Sequence, residues 1–129
     1  LKDKLSANIA DEILSSALEI EDFKLITYTV SDLDMNGLRN LGDELKARLH
    51  SGVVVLASTL DNKLSFVAMA TKDVTSKGVH AGNIVKNVAS LTGGSGGGRP
   101  EMAQAGGKDV SKVKEAMDSV LEFVKGQLR

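Results

Sequence analysis

The most unusual concentration of residues in this chain is of glycines rather than of reactive side chains. Between Gly93 and Gly107 the run GGSGGGRPEMAQAGG holds seven of the 13 glycines and the only proline. Without Cβ atoms, successive backbone N–H groups are open to a ligand. They can form an anion-binding concavity, to which Arg99 would add a bidentate phosphate contact. A Gly/Ser tract can equally be a flexible linker. Arg99, Glu101, Met102 and Gln104 are poor linker residues, however, and Pro100 restricts Arg99 to extended backbone. A short strand over Glu101 to Ala105 would fit. The register excludes the common nucleotide motifs. Counted from Gly94, the sixth position of G-x-G-x-x-G is Arg99, and counted from Gly93 the third is Ser95. Gly107-Lys108 is followed by Asp109, and Met102 stands where a phosphate loop needs its first glycine.

Around this run, Arg99 reads either as a phosphate or base contact or as an ion-pair partner that orders the loop. Gly96, Gly97 and Gly98 serve close approach of a ligand, tight turns, or both. Met102 is an apolar platform for a base or a core residue, and Gln104 bonds a base edge or holds the loop. Lys77 and Lys86 flank the start of a helix that leads to the run, where both could reach a nucleic-acid backbone or simply be solvated. His80, at the start of that helix, has no cysteine, serine or carboxylate at a catalytic spacing, so it reads as a capping or solvated residue. No catalytic residue and no metal ligand is assigned: the chain has no cysteine and only two histidines, His50 and His80.

Charge is divided along the chain. Residues 1–61 carry 6 basic and 11 acidic side chains, residues 62–129 carry 10 and 6, and the whole has a net charge of −1. The half with the glycine run is thus the basic half, enough for a local positive face. At 129 residues, about two-thirds of the unfolded surface can be buried, so one domain with a core of its own is expected. No apolar run approaches the ~20 residues of a bilayer span, and LKDKLSANIADE is too charged for a signal peptide.

The elements that must position these residues follow from periodicity. Leu1, Leu5, Ile9, Ile13, Leu14, Ala17 and Ile20 recur at helical spacing, so residues 1–20 are expected as an amphipathic helix. No cap precedes it, and the helix is expected to begin upstream in a longer polypeptide, either continuing as a coiled coil or packing on the domain. FKLITYTV (23–30) reads as a strand. Ser31 with Asp34 resembles a capping box for a helix carrying Leu38, Leu41, Leu45 and Leu49. VVVLAS (53–58) reads as a strand covered on both faces, and LSFVAMAT (64–71) as its hairpin return. Ala81, Ile84, Val85, Val88 and Ala89 mark another helix, stopped at Gly93. Val113, Ala116, Met117, Val120, Leu121, Val124 and Leu128 mark the last. The expected fold is α/β, a mixed sheet of three to five strands flanked by helices. Residues 1–20 form a helical segment, and residues 21–129 a globular unit with the glycine-rich loop 93–107.

Two segments carry a family resemblance. Gly96-Gly97-Gly98-Arg99-Pro100-Glu101-Met102-Ala103-Gln104-Ala105-Gly106-Gly107 closely resembles the C-terminal signature of alanyl-tRNA synthetases. Lys77-Gly78-Val79-His80-Ala81-Gly82-Asn83-Ile84-Val85-Lys86 is similar to that family's second signature. Order and distance match, and the surrounding elements are those of a DHH-associated domain. The resemblance covers the chain from its first helix to Arg129. It implies a C-terminal module that binds the outer corner of tRNA, with RNA contacts from Lys77, His80, Lys86, Gly96, Gly97, Gly98, Arg99, Met102 and Gln104. It implies that aminoacylation and editing, with their ATP, magnesium and zinc, belong to upstream domains, and that the fragment itself is not an enzyme. The implied partners are tRNA and the other synthetase domains, and the implied compartment is the cytoplasm. The alternative is a protein-assembly module, in which the N-terminal helix pairs with its copy and the glycine run serves only the fold.

Overall fold

A computed structural model of the chain describes residues 12–15, 17–20, 23–31, 33–49, 51–60 and 63–127. Six strands form one mixed sheet: β1 (Leu18–Ile20), β2 (Phe23–Ser31), β3 (Gly52–Leu60), β4 (Lys63–Ala70), β5 (Ser95–Gly98) and β6 (Met102–Gly107), in the spatial order β1-β2-β3-β4-β6-β5. β2 and β3 are parallel, with Leu25 opposite Val53 and Tyr28 opposite Leu56, and every other pair is antiparallel. The parallel pair needs a crossover. Helix α1 (Met35–Leu49) supplies it, with Leu38 and Leu45 buried toward the sheet. Its start is capped by Asp34, whose carboxylate accepts the Gly37 N–H at 2.8 Å. Ser31, expected as the cap, is the last residue of β2.

The remaining helices are α2 (Lys72–Thr75), α3 (Ala81–Leu91) and, after a 3₁₀ turn at Val110–Lys112, α4 (Val113–Gln127). Alternation along the strands splits the core in two. On one face Leu25, Val53, Val55, Phe66, Ala68, Ala103 and Ala105 pack under α3 and α4. On the other Ile26, Val54, Leu56, Val67 and Met69 pack under α1 and Ile13. β3, apolar on both faces, is buried from Gly52 to Ser58, as the continuous run VVVLAS predicts.

Two expectations need correction. The sheet has six strands rather than three to five, because the glycine-rich segment contributes two and Leu18–Ile20 a third. The helix expected over 1–20 is helical at 12–15, but Leu18–Ile20 lies antiparallel on β2, Leu18 opposite Leu25, where it pairs an edge of β2 that would otherwise be bare. Leu1, Leu5 and Ile9 lie outside the described residues. Ile13 is fully buried in the second core, so this member of the stripe is spent on the domain itself. Between β4 and α3, Lys72–Thr75 forms the short helix α2.

The start of α2 is tied to the sheet by a polar knot. The Thr71 hydroxyl donates to one Asp73 carboxylate oxygen at 2.5 Å, and the Ser51 hydroxyl donates to the other. Thr71 Oγ1 also accepts the Gly52 N–H at 3.1 Å. The Ser51 and then the Thr71 hydrogen bond hold the Asp73 carboxyl below its ordinary value. A lowered carboxylate pKa contributes stability above the unfolded value, and the contribution is lost as pH falls through the folded value. Asp73→Asn is therefore expected to be modestly less stable than the parent at pH 7. Denaturant melts should show the difference, small because the carboxylate is exposed, shrinking further below about pH 4 as the parent carboxyl is protonated.

Candidate nucleic-acid interface

The glycine-rich segment is neither a linker nor an open loop. Thr92 ends α3 and Gly93 turns the chain at φ +76°. Ser95–Gly98 and Met102–Gly107 then form a hairpin on the sheet's edge, with Gly97 opposite Gln104 and Gly98 opposite Ala103. The physical reason is that β4 offers an unpaired edge, which β6 covers from Leu64–Gly107 to Met69–Met102. The fully buried Thr92 anchors both ends of the excursion: its hydroxyl reaches the Val88 and Ala89 carbonyls, and its own carbonyl accepts the N–H groups of Lys108 and Asp109.

The two sequence signatures meet at the hairpin turn. The Ala81 N–H donates to the Pro100 carbonyl at 2.9 Å, and the Gly82 N–H to the Arg99 carbonyl at 3.2 Å. Asn83 N–H donates to His80 Nδ1 at 3.2 Å. Every early donor of α3 is thereby occupied, so this helix start is a joint with the turn and not an open anion site. Across the sheet the Ala70 N–H donates to the Glu101 carbonyl at 2.9 Å. Gly82 permits the joint: a Cβ there would lie 2.6 Å from the Gly98 carbonyl oxygen and 2.8 Å from the His80 ring. His80 is thus the cap of α3 and is clamped from the far end of the chain. The Gln127 side chain accepts the His80 N–H at 3.2 Å and donates to the His80 carbonyl at 3.3 Å. No sequence signal marks Gln127, which is 47 residues away.

The predicted site residues divide over two sides of the sheet. Arg99 is exposed in the turn, and among the described residues no carboxylate stands at ion-pair distance from it. Gly96 and Gly98, opposite Ala105 and Ala103, lie toward α3. Gly97, Gln104 and Met102 lie on the reverse side, where Met102 is half-buried against the second core. Lys86 is exposed on α3, on the opposite side of the sheet from Gln104. Lys77 is not brought to the hairpin: its ammonium sits 5.7 Å from the Phe23 ring centre, at the start of β2, with β3 and β4 between it and β6. Among the described residues no His, Asp and Glu cluster is placed to hold a metal ion, and no helix is long and apolar enough to cross a membrane.

Known proteins share this geometry. The family model described as DHHA1 domain matches residues 22–126. Alanine–tRNA ligase of Natranaerobius thermophilus is 52% identical over 128 residues, which is 99% of this chain and 15% of that protein. The same enzyme of Acetivibrio thermocellus is 50% identical over 99% of this chain and 14% of its own length. The chain thus spans about one-seventh of the curated relatives it matches. The crystal structure of the C-Ala domain from Aquifex aeolicus alanyl-tRNA synthetase superposes with a TM-score of 0.78 at 33% identity, covering 86% of this chain and 99% of that one. RecJ of Thermus thermophilus superposes at 0.60 with 10% identity, over 96% of this chain and 18% of its own, a likeness of fold alone.

Proposed function

The chain belongs to the DHHA1 domain family, in the form seen as the C-Ala domain of alanyl-tRNA synthetase, and on that premise we propose that it is a tRNA-binding accessory module of such a synthetase. In this reading it holds the outer corner of tRNA, while aminoacylation and editing, with ATP, magnesium and zinc, take place on other domains of a cytoplasmic enzyme. Its partners are tRNA and those domains. The observation that carries the reading is the joint between the two signatures. The joint fixes the turn by three backbone hydrogen bonds from α3 and β4 and leaves Arg99 exposed, with no described carboxylate to neutralise it. A rigid turn presenting an unpaired guanidinium suits recognition of a folded phosphate backbone by shape.

The test is a salt series of binding to folded tRNA, to a tRNA whose D- and T-loop contact is broken, and to single-stranded RNA of equal length. Folded tRNA should bind best, and its advantage should vanish with the broken corner. Arg99→Ala should weaken folded-tRNA binding about five- to tenfold and lower the salt slope by about one. Equal binding of all three RNAs, unchanged by the substitution, would overturn the reading and leave the hairpin a purely structural element.

A further inference from the structure

The outer edge of β2 is covered only at its start. β1 pairs with Phe23–Leu25, and among the described residues nothing pairs the edge from Ile26 to Ser31. The Lys24 N–H donates to the Ser51 carbonyl at 3.4 Å, toward β3, so alternation turns the N–H and C=O groups of Thr27, Thr29 and Ser31 outward. Edge strands are ordinarily blunted by a charge, a proline or a bulge. ITYTVS (26–31) holds no charge and no proline, and its pairing with β3 runs without a bulge to Ser31. Thr29 and Ser31 are exposed, and Thr27, Tyr28 and Val30 are half-buried.

Neither layer of helices closes over this stretch. On the α1 side a groove of about 650 Å³ runs beside it, its apolar wall formed by Tyr28, Val30, Leu33 and Leu41. On the α4 side a second groove of about 420 Å³ is lined by Thr27, Thr29, Val113, Lys114, Met117 and Asp118. A strand can therefore reach the edge with room for its side chains on both faces. The chain after Ser31 leaves the way open, because Leu33 is tied through its N–H and its carbonyl to the Ser58 hydroxyl and so turns in toward β3.

We propose that the occupant of this edge is β2 of a second copy of the chain, laid antiparallel about a two-fold axis through Thr29. In that register Thr29 meets its own equivalent and Thr27 meets Ser31 of the second copy, so every outward N–H and C=O of these residues finds a partner. The side chains match as well. On the α1 side Tyr28 lies against Val30 of the second copy, an aromatic on a β-branched residue, and on the α4 side hydroxyl meets hydroxyl; these are favourable cross-strand pairs. Charge agrees with the same axis. Lys114 and Asp118, one turn apart on α4, are both exposed at the smaller groove, and among the described residues neither has an ion-pair partner. The axis runs the two copies of α4 in opposite directions, so Lys114 of each faces Asp118 of the other. On the α1 side Glu44 is paired with Arg48 at 3.4 Å and brings no bare charge to the contact. The β5–β6 hairpin stands at the far edge of the sheet, so the dimer keeps both copies of Arg99 free, about 40 Å apart at the two ends of one continuous sheet.

The experiment is sedimentation velocity of the 129-residue chain at about 10–500 μM, a range suited to a small interface below about 1,200 Å². The parent should move from monomer toward dimer across it, and exchange of the Thr27, Thr29 and Ser31 amides should slow as concentration rises. Thr29→Pro removes an outward N–H that the monomer does not use, at an edge position where proline is tolerated, so it should stay monomeric with a melting point within about 3 °C of the parent at low concentration. Lys114→Glu and Asp118→Lys should each weaken association about fivefold, because like charges then face each other across the axis. Mixed together, the two variants should associate about as the parent does, since each meets its opposite charge in the other; a role within one α4 cannot produce that rescue. A parent monomeric throughout, association that survives Thr29→Pro, or a mixture no tighter than its components each overturns the proposal. Association lost on deleting residues 1–11 but kept in the edge variants also overturns it and makes the N-terminal segment the contact. Should Thr29→Pro fail to fold, the mixing experiment decides alone.

Discussion

Gly82→Ala is expected to destabilise the domain by about 1–3 kcal/mol and to abolish its preference for folded tRNA. Two opposing magnitudes decide the sign. An alanine inside a helix gains about 1 kcal/mol over glycine from backbone entropy. Against this, the new Cβ would stand 2.6 Å from the Gly98 carbonyl oxygen, which is backbone and cannot rotate away, and 2.8 Å from the His80 ring. Relief requires α3 to lift from the hairpin. That motion stretches the Gly82 bond to Arg99 and the Ala81 bond to Pro100 and disturbs the His80 cap, leaving backbone donors unpaired at a cost of about 1–3 kcal/mol each when they stay buried. The loss therefore exceeds the gain. Amide hydrogen exchange should report it locally, with the Ala81 and Gly82 amides speeding up far more than those of β3. A variant more stable than the parent, as helix propensity alone would have it, would show that the two signatures are not rigidly joined.

That joint marks where the sequence stops being legible. Both signatures can be read as segments, and the strands 23–30, 53–58 and 64–71 and the helices around Leu38, Ile84 and Val120 fall where their periodicity places them, because each buries a face that its own pattern declares. The hairpin is different. Ser95–Gly98 has no side-chain alternation at all, since three of its four residues are glycine, so nothing in it announces a strand. Its pairing is dictated by the free edge of β4 and by alanines at 103 and 105, which are small enough to admit it under α3. Leu18–Ile20 misleads for a related reason. Leu14, Ala17 and Ile20 continue a helical stripe, but three residues are too few to tell a stripe from an edge strand, and the pairing with β2 decides. For the site, residue type marks Arg99, the glycines and Gln104. Only a contact over 47 residues can add Gln127. Its place in a motif draws Lys77 into the site, yet folding turns it to Phe23.

Phe66→Ala should have the largest effect on stability of any change in the sheet, about 3–5 kcal/mol. Phe66 is fully buried at the centre of β4, with Ala57 beside it on β3 and Ala105 beside it on β6. The row continues to Gly96 on β5. One large ring among two alanines and a glycine fills the space under α3, and the small neighbours let Ile84, Val85 and Val88 descend onto it. Truncation would turn the row into three alanines and a glycine. Collapse cannot close the gap, because the strands on both sides are fixed by continuous pairing, so the cavity term adds to the lost transfer energy. Against a total stability of about 5–15 kcal/mol for a domain of this kind, such a loss is severe. It should lower the melting point by about 10–20 °C, while Phe66→Leu should recover more than half of the difference. The same row supports α3, whose first turn holds Arg99 in place. At a temperature where Phe66→Ala remains folded, binding to folded tRNA should therefore be weaker than in the parent while the salt slope is unchanged, since no cation has been removed. That separates it from Arg99→Ala, which lowers the slope at nearly constant stability. A truncation costing under about 1.5 kcal/mol would mean that the space under α3 is filled by neighbours rather than by the ring, and that the hairpin is held by its backbone joint alone.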